Sequence, residues 1–273
     1  GGTMSEKTFD SELHACLSDK NSVVTCAPPI IQAYMQSHST AETMRTLSDA
    51  TGTNGCHFIG HIVGQISYKK TGSVERSLSE CGQLCGAACI HGAIGQAFVA
   101  ETGLSTENLD LQHLSTEEIR TYGKSLCKTV DTCHGVGHIL FQIENEIEKP
   151  LAFCRQITDG VKLQSCFTGV FMENADVISS HNLLLGTKKV QERKSDDLAY
   201  PCDVINKDAR HACLRYQGRV QMQIFEDTGV TNEDDQTEAR INACKSFTSA
   251  KDRADCFEGM GFIAYAYIHT DAA

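Results

Sequence analysis

Behind a series of cysteines, apolar residues recur with the period of a helix. Ile139, Leu140 and Ile143 follow Cys133, Val170 and Phe171 follow Cys166, and Phe262 with Ala266 follows Cys256. The period-two alternation of a half-buried strand is weak throughout, so the pattern predicts an all-α chain. Each run has an earlier cysteine as partner: Cys154 for Cys166, Cys202 for Cys213, and Cys244 for Cys256, at separations of 12, 11 and 12 residues. That length finishes one helix, turns, and begins an antiparallel neighbour, which brings the two sulfurs together across a hairpin. Cys127 with Cys133 is a shorter version, and Cys16 with Cys26 an early one in which Pro28-Pro29 marks a helix start. Further starts are expected at Ser105 with Asn108 and at Ser115-Thr116-Glu117-Glu118. Asp227 to Glu238 reads as an acidic exposed loop, and Lys188 to Asp197 as a second loop or a solvated helix end.

A helical pair returning roughly every 35 to 45 residues resembles the architecture of tetratricopeptide-like and HEAT-like arrays. The likeness is architectural: the tetratricopeptide consensus is absent and the chain has no Trp. The expected organisation is a flexible tail over residues 1–13, histidine-bearing hairpins over 14–190, and C-terminal hairpins over 191–273.

Cys56, Cys81, Cys85 and Cys89 remain, the last three spaced i, i+4, i+8, a single stripe if they share a helix. Two readings stand: disulfides Cys56–Cys85 and Cys81–Cys89, or a thiolate stripe for a soft metal. The ease with which the other ten cysteines pair favours disulfides. Fourteen cysteines in 273 residues exceed what a reduced cytosolic protein carries, which points to an extracellular or periplasmic setting. A formal charge of −11 without a basic cluster argues against nucleic acid as a partner. The apolar runs, such as Gly261 to Ile268, are short of a bilayer span, and Gly1-Gly2-Thr3 reads as a processing or cloning remnant.

The candidate chemistry lies in Cys56-His57-Phe58-Ile59-Gly60-His61 and Cys133-His134-Gly135-Val136-Gly137-His138, both Cys-His-x-x-x-His and both leading to a glutamine, Gln65 and Gln142. A looser copy, Cys89-Ile90-His91-Gly92 with Gln96, lies between them. Residues four apart share one helix face, so each pair can address one ion. Neutral imidazole ligates zinc, copper, iron and nickel, which makes His57, His61, His134 and His138, with His91, the expected metal ligands. Glycine recurs around them, at Gly60, Gly64, Gly92, Gly95, Gly135 and Gly137, and later at Gly169, Gly259 and Gly261. Each costs up to about 1 kcal/mol in a helix interior, so it serves either close helix contact or room for a bound group.

Two His-x-x-x-His pairs, each joined by a further histidine, His91 for the first and His181 for the second, resemble the ligand arrangement of coupled dinuclear copper proteins such as haemocyanins. That resemblance covers these six positions and implies dioxygen binding or copper-dependent oxidation of a small molecule. A zinc hydrolase is a second reading, with Glu173 as base or carboxylate ligand; Glu144 falls off the histidine stripe, and no His-Glu-x-x-His is present. A non-covalent haem protein is a third, since Cys-x-x-Cys-His does not occur. The non-enzymatic reading is a metal-free helical scaffold with a protein partner on a concave face.

Overall fold

The computed structural model describes residues 4–18, 23–103, 116–144, 146–178 and 195–268, and among these the chain forms twelve helices and no strand. They are α1 (Glu6–Ser18), α2 (Val23–Tyr34), α3 (Thr40–Thr71), α4 (Val74–Cys81), α5 (Leu84–Thr102), α6 (Thr116–Leu126), α7 (Val130–Glu144), α8 (Glu148–Cys154), α9 (Gly160–Ile178), α10 (Lys207–Thr228), α11 (Glu233–Ser246) and α12 (Ala250–Ile268). The all-α class follows as expected. Two compact units divide within α7, one reaching Ile139 and the other beginning at Leu140.

All fourteen cysteines are paired: Cys16–Cys26, Cys56–Cys85, Cys81–Cys89, Cys127–Cys133, Cys154–Cys166, Cys202–Cys213 and Cys244–Cys256. The disulfide reading therefore holds for the ambiguous four, and no thiolate stripe exists. Cys81, Cys85 and Cys89 do not share a helix face either. Cys81 closes α4 ahead of Gly82, and Cys85 lies in a left-handed turn, Cys85-Gly86-Ala87, at the head of α5.

In the first unit, α5 is the central helix: every residue from Ala87 to Val99 is buried. By length and composition α5 would also suffice to cross a bilayer, but here its apolar surface is covered by its own protein. α3 lies along it. Ser39 caps α3 through the reciprocal Ser39–Glu42 box, and Gly52, with φ +67°, kinks it before the histidine pair. Against α5 the two backbones nearly touch. A Cβ on Gly64 would stand 1.9 Å from the Cys89 carbonyl oxygen, and one on Gly92 would stand 1.9 Å from that of His61. Close contact, with no room for a ligand beside the backbone, accounts for these glycines.

The tail expected over residues 1–13 is helical from Glu6, because Phe9 and Leu13 have a core to enter and are fully buried. Pro28 and Pro29 lie inside α2 and do not begin it. The helix starts earlier, at Val23, where Cys26 is bonded to α1 and Ala27 and Ile31 are fully buried. α6 begins at Thr116, as the Ser115–Glu118 signal indicates. The start at Ser105 and most of the Lys188–Asp197 segment lie outside the described residues.

In the second unit α10 packs between α9 and α12. Gly259 sets its approach to α12, since a Cβ there would meet the Leu214 carbonyl oxygen at 2.1 Å. The Arg210–Asp252 pair (2.7 Å), with its carboxylate buried, joins the same two helices. The loop expected over Asp227–Glu238 is mostly helix. α10 runs to Thr228 and stops at Gly229 in the left-handed region, and Asn232 caps α11 by accepting the Asp235 amide at 3.0 Å. Glu233, Asp234 and Asp235 sit in that first turn, where the helix dipole favours carboxylates, so the acidity marks a helix start.

Gly261 contrasts with the other helix glycines: it is exposed in α12 and a Cβ would meet nothing within 4 Å. Gly261→Ala is expected to raise the stability of the second unit by about 0.5–1 kcal/mol through helix propensity alone, read as a higher denaturation midpoint. A lower midpoint would show that this glycine has a neighbour or a conformation that the structure does not give it.

Candidate metal centre

Both histidine pairs are placed by helix geometry. In α3, His57 and His61 are one turn apart with ring centroids 4.9 Å from each other; in α7, His134 and His138 are 4.7 Å apart. Thr129 opens α7 by accepting the Thr132 amide at 3.2 Å, and the Cys127–Cys133 disulfide ties the turn immediately before His134. Gln83, just ahead of α5, donates to Asp131 at 2.9 Å, linking the heads of α5 and α7. Gly135 faces α5, where a Cβ would stand in van der Waals contact with the His91 Cα at 3.4 Å.

His91 is the meeting point. Its ring lies 5.7 Å from His57, 5.6 Å from His61, 4.7 Å from His134 and 5.2 Å from His138, centroid to centroid. All five predicted ligands thus come together in the first unit. Their donor atoms fall into two triads, His57–His61–His91 and His91–His134–His138, each with its atoms within 4.8 Å of one another. His61, His91 and His138 are buried, while His57 and His134 keep partial exposure.

Register shows how unusual these side chains are. Cys56, Cys133 and Cys166 are followed at +1 and +5 by His57 and His61, His134 and His138, and Phe167 and Phe171. The two phenylalanines are fully buried core residues of α9. The histidines therefore occupy positions that an apolar aromatic can fill.

Two imidazole nitrogens carry the chemical signal. His61 Nε2 and His91 Nδ1 are buried without a hydrogen-bond partner, an arrangement that costs about 1–3 kcal/mol for each atom unless something meets the lone pair. Burial, reinforced by the neighbouring imidazoles, holds His61 and His91 well below the ordinary histidine value of 6.5, so both are neutral. His57 adds orientation. Its Nδ1 lies 2.6 Å from the Cys85 carbonyl oxygen, which only accepts, so Nδ1 carries the proton and Nε2 the lone pair. A backbone carbonyl bonded to the distal ring nitrogen is the arrangement that orients metal-ligating histidines. The left-handed turn that presents this carbonyl includes two non-glycine residues at positive φ, Cys85 (56°) and Ala87 (61°), and is tied to α3 by Cys56–Cys85. Such residues cost about 1–3 kcal/mol each and concentrate at functional sites.

The remaining sequence candidates lie elsewhere. Glu173 belongs to the second unit, buried in α9, where its Oε1 accepts from Gln142 Nε2 at 2.8 Å. It is in neither triad. Glu144 pairs with Lys149 at 3.1 Å, and His181 lies outside the described residues. A third group that the sequence reading missed, His211–Asp255–Glu258 between α10 and α12, is partly exposed, and Lys251 is bonded to Asp255. Comparison with protein families, with curated proteins and with solved structures finds no match to this chain.

Proposed function

We propose that this is an exported metalloprotein whose five-histidine cluster holds a redox-active transition metal, copper above the others. The observation that carries the reading is the pair of buried, unpartnered nitrogens, His61 Nε2 and His91 Nδ1, inside an all-imidazole cluster. A bound cation turns both from a cost into ligand bonds.

The donor set favours copper. Every cysteine is in a disulfide, and neither triad includes a carboxylate, so among the described residues the ligands offered to the ion are neutral nitrogens. Such ligands leave its charge uncompensated in a buried place. Because the desolvation cost of an ion grows with the square of its charge, a monovalent ion bears it more readily than a dication. Copper alone among the usual imidazole-bound metals has a stable monovalent state, and its divalent state binds nitrogen more tightly than its neighbours in the series. Cycling between the two is one-electron chemistry, suited to dioxygen or a small reductant reaching the cluster beside His57 and His134. Rings in mutual contact favour a bare ion over a flat haem, which would have to be inserted between them. The seven disulfides fit an oxidising compartment, extracellular or periplasmic.

The test is elemental analysis and electron paramagnetic resonance on full-length protein purified without a histidine tag or chelator, then reconstituted with copper(II). Copper that survives dialysis and shows hyperfine coupling to several nitrogens is expected. Zinc alone, with copper refused, would favour the hydrolase. No retained metal of any kind would leave a protein-binding scaffold.

A further inference from the structure

The two triads are not independent, because each needs His91. We infer that the cluster is a pair of mutually exclusive seats for one soft or borderline transition-metal ion, His57–His61–His91 and His91–His134–His138, between which the ion passes by exchanging one histidine pair for the other. The inference rests on the metal-binding reading above and specifies how the ion is held.

A neutral imidazole has one lone pair, its second nitrogen being occupied by a proton. His91 therefore serves one ion at a time, and filling one seat leaves only a histidine pair at the other. Each seat is otherwise close to complete. Donor atoms within 4.8 Å of one another need only small ring rotations to reach the separations of up to about 4 Å that nitrogens at about 2.0–2.1 Å from an ion require. The two seats also lie beside each other, since the His61 and His138 rings, one from each pair, are 5.9 Å apart.

Exchange conserves charge and oxidation state: bonds from one pair to the ion break as bonds from the other form, while the His91 ring turns or its proton changes nitrogen. His57 and His134 give each seat one partly exposed ligand, so an ion can arrive at one seat and leave from the other without losing imidazole coordination. Such a cluster passes a metal ion along as well as retaining it. A coupled dinuclear centre would need a sixth ligand and two ions held together.

The experiment measures copper(I) affinity by competition with a chromophoric chelator, without oxygen or thiol reductant. It compares the full chain with His57→Ala/His61→Ala, His134→Ala/His138→Ala and His91→Ala, each checked for helicity and intact disulfides. For alternative seats the association constants of the two pair variants add up to that of the wild type. Equal seats then lose about twofold on removal of either pair, and His91→Ala falls below both pair variants by more than about tenfold. Should an alanine pair fail to fold, phenylalanine replaces it, as Phe167 and Phe171 stand at the same register in α9.

Losses clearly beyond about twofold in both pair variants, so that their association constants fall short of the wild-type value when added, would overturn the inference in favour of one site using both pairs. Two ions in the wild type would overturn it in favour of a dinuclear centre, as would a His91→Ala affinity equal to the wild type in favour of sites that do not share it. A wild type that binds no copper(I) would instead remove the metal reading beneath it.

Discussion

Gly64→Ala is expected to destabilise the first unit by about 3 kcal/mol or more, at or beyond the upper end of ordinary overpacking, and to lower copper affinity with it. The new methyl would lie 1.9 Å from the Cys89 carbonyl oxygen and 2.7 Å from the Ala93 amide nitrogen. Both are backbone atoms of α5, so no rotamer change relieves the contact. The helices must separate, yet Cys56–Cys85 joins α3 to the head of α5 and resists it. Separation would also move His61 from His91, whose rings are 5.6 Å apart. Gly92→Ala should behave alike, with its methyl 1.9 Å from the His61 carbonyl oxygen. Gly60→Ala should cost less, because it meets the Ala88 Cβ at 2.8 Å and the flexible end of Met44 at 3.3 Å. Chemical denaturation of the three variants, with a metal titration on those that fold, gives the comparison. A near-neutral Gly64→Ala would mean that α3 and α5 are not in backbone contact.

Acid should unfold the metal-free protein in a range set by the histidines. His61 and His91 have folded-state values well below the 6.5 of an unperturbed imidazole, first because they are buried and then because other imidazoles surround them. Below pH 6.5 the unfolded chain takes up protons that the folded chain refuses, so stability falls as the pH falls toward the folded-state values. The slope is about 1.4 kcal/mol per pH unit for each group, or about 2.7 for the two together. Ordinary carboxylates titrate near 4, which leaves pH 6.5 to 5 as a clear window. Denaturant midpoints measured across it should drop steeply for the wild type and less for His61→Phe, which removes one of the two groups. A bound ion competes with those protons, so the loaded protein should keep its ligands neutral across this interval and unfold at lower pH than the metal-free form. A flat stability profile between pH 6.5 and 5 would show that these imidazoles are not held neutral.

Local features were legible because short chain separations determine them. The pairing of Cys154 with Cys166, Cys202 with Cys213 and Cys244 with Cys256 follows from the length of a helix, a turn and a return, and the structure forms each of them. The i, i+4 spacing of His57 with His61 and of His134 with His138 needs only that each segment be helical. Errors arose where one local signal had two meanings. The acidic run after Asp227 reads as solvent-exposed loop, but carboxylates also collect in the first turn of a capped helix, and Asn232 makes it one. Pro28-Pro29 ordinarily mark a helix start, yet a disulfide and buried neighbours hold the helix that begins ahead of them.

By itself, then, the sequence determined the helical class, the oxidised cysteine framework and the helical spacing within each histidine pair. Only the tertiary structure decided that His91 is shared between two triads, that His57 carries its proton on Nδ1, and that the space beside Gly64 and Gly92 belongs to a neighbouring backbone. The reason is distance. Side-chain period and hairpin length are properties of consecutive residues. Ring contacts among α3, α5 and α7 depend on how closely helices distant in sequence approach, and between α3 and α5 that is set by the glycine contacts and the Cys56–Cys85 disulfide acting together.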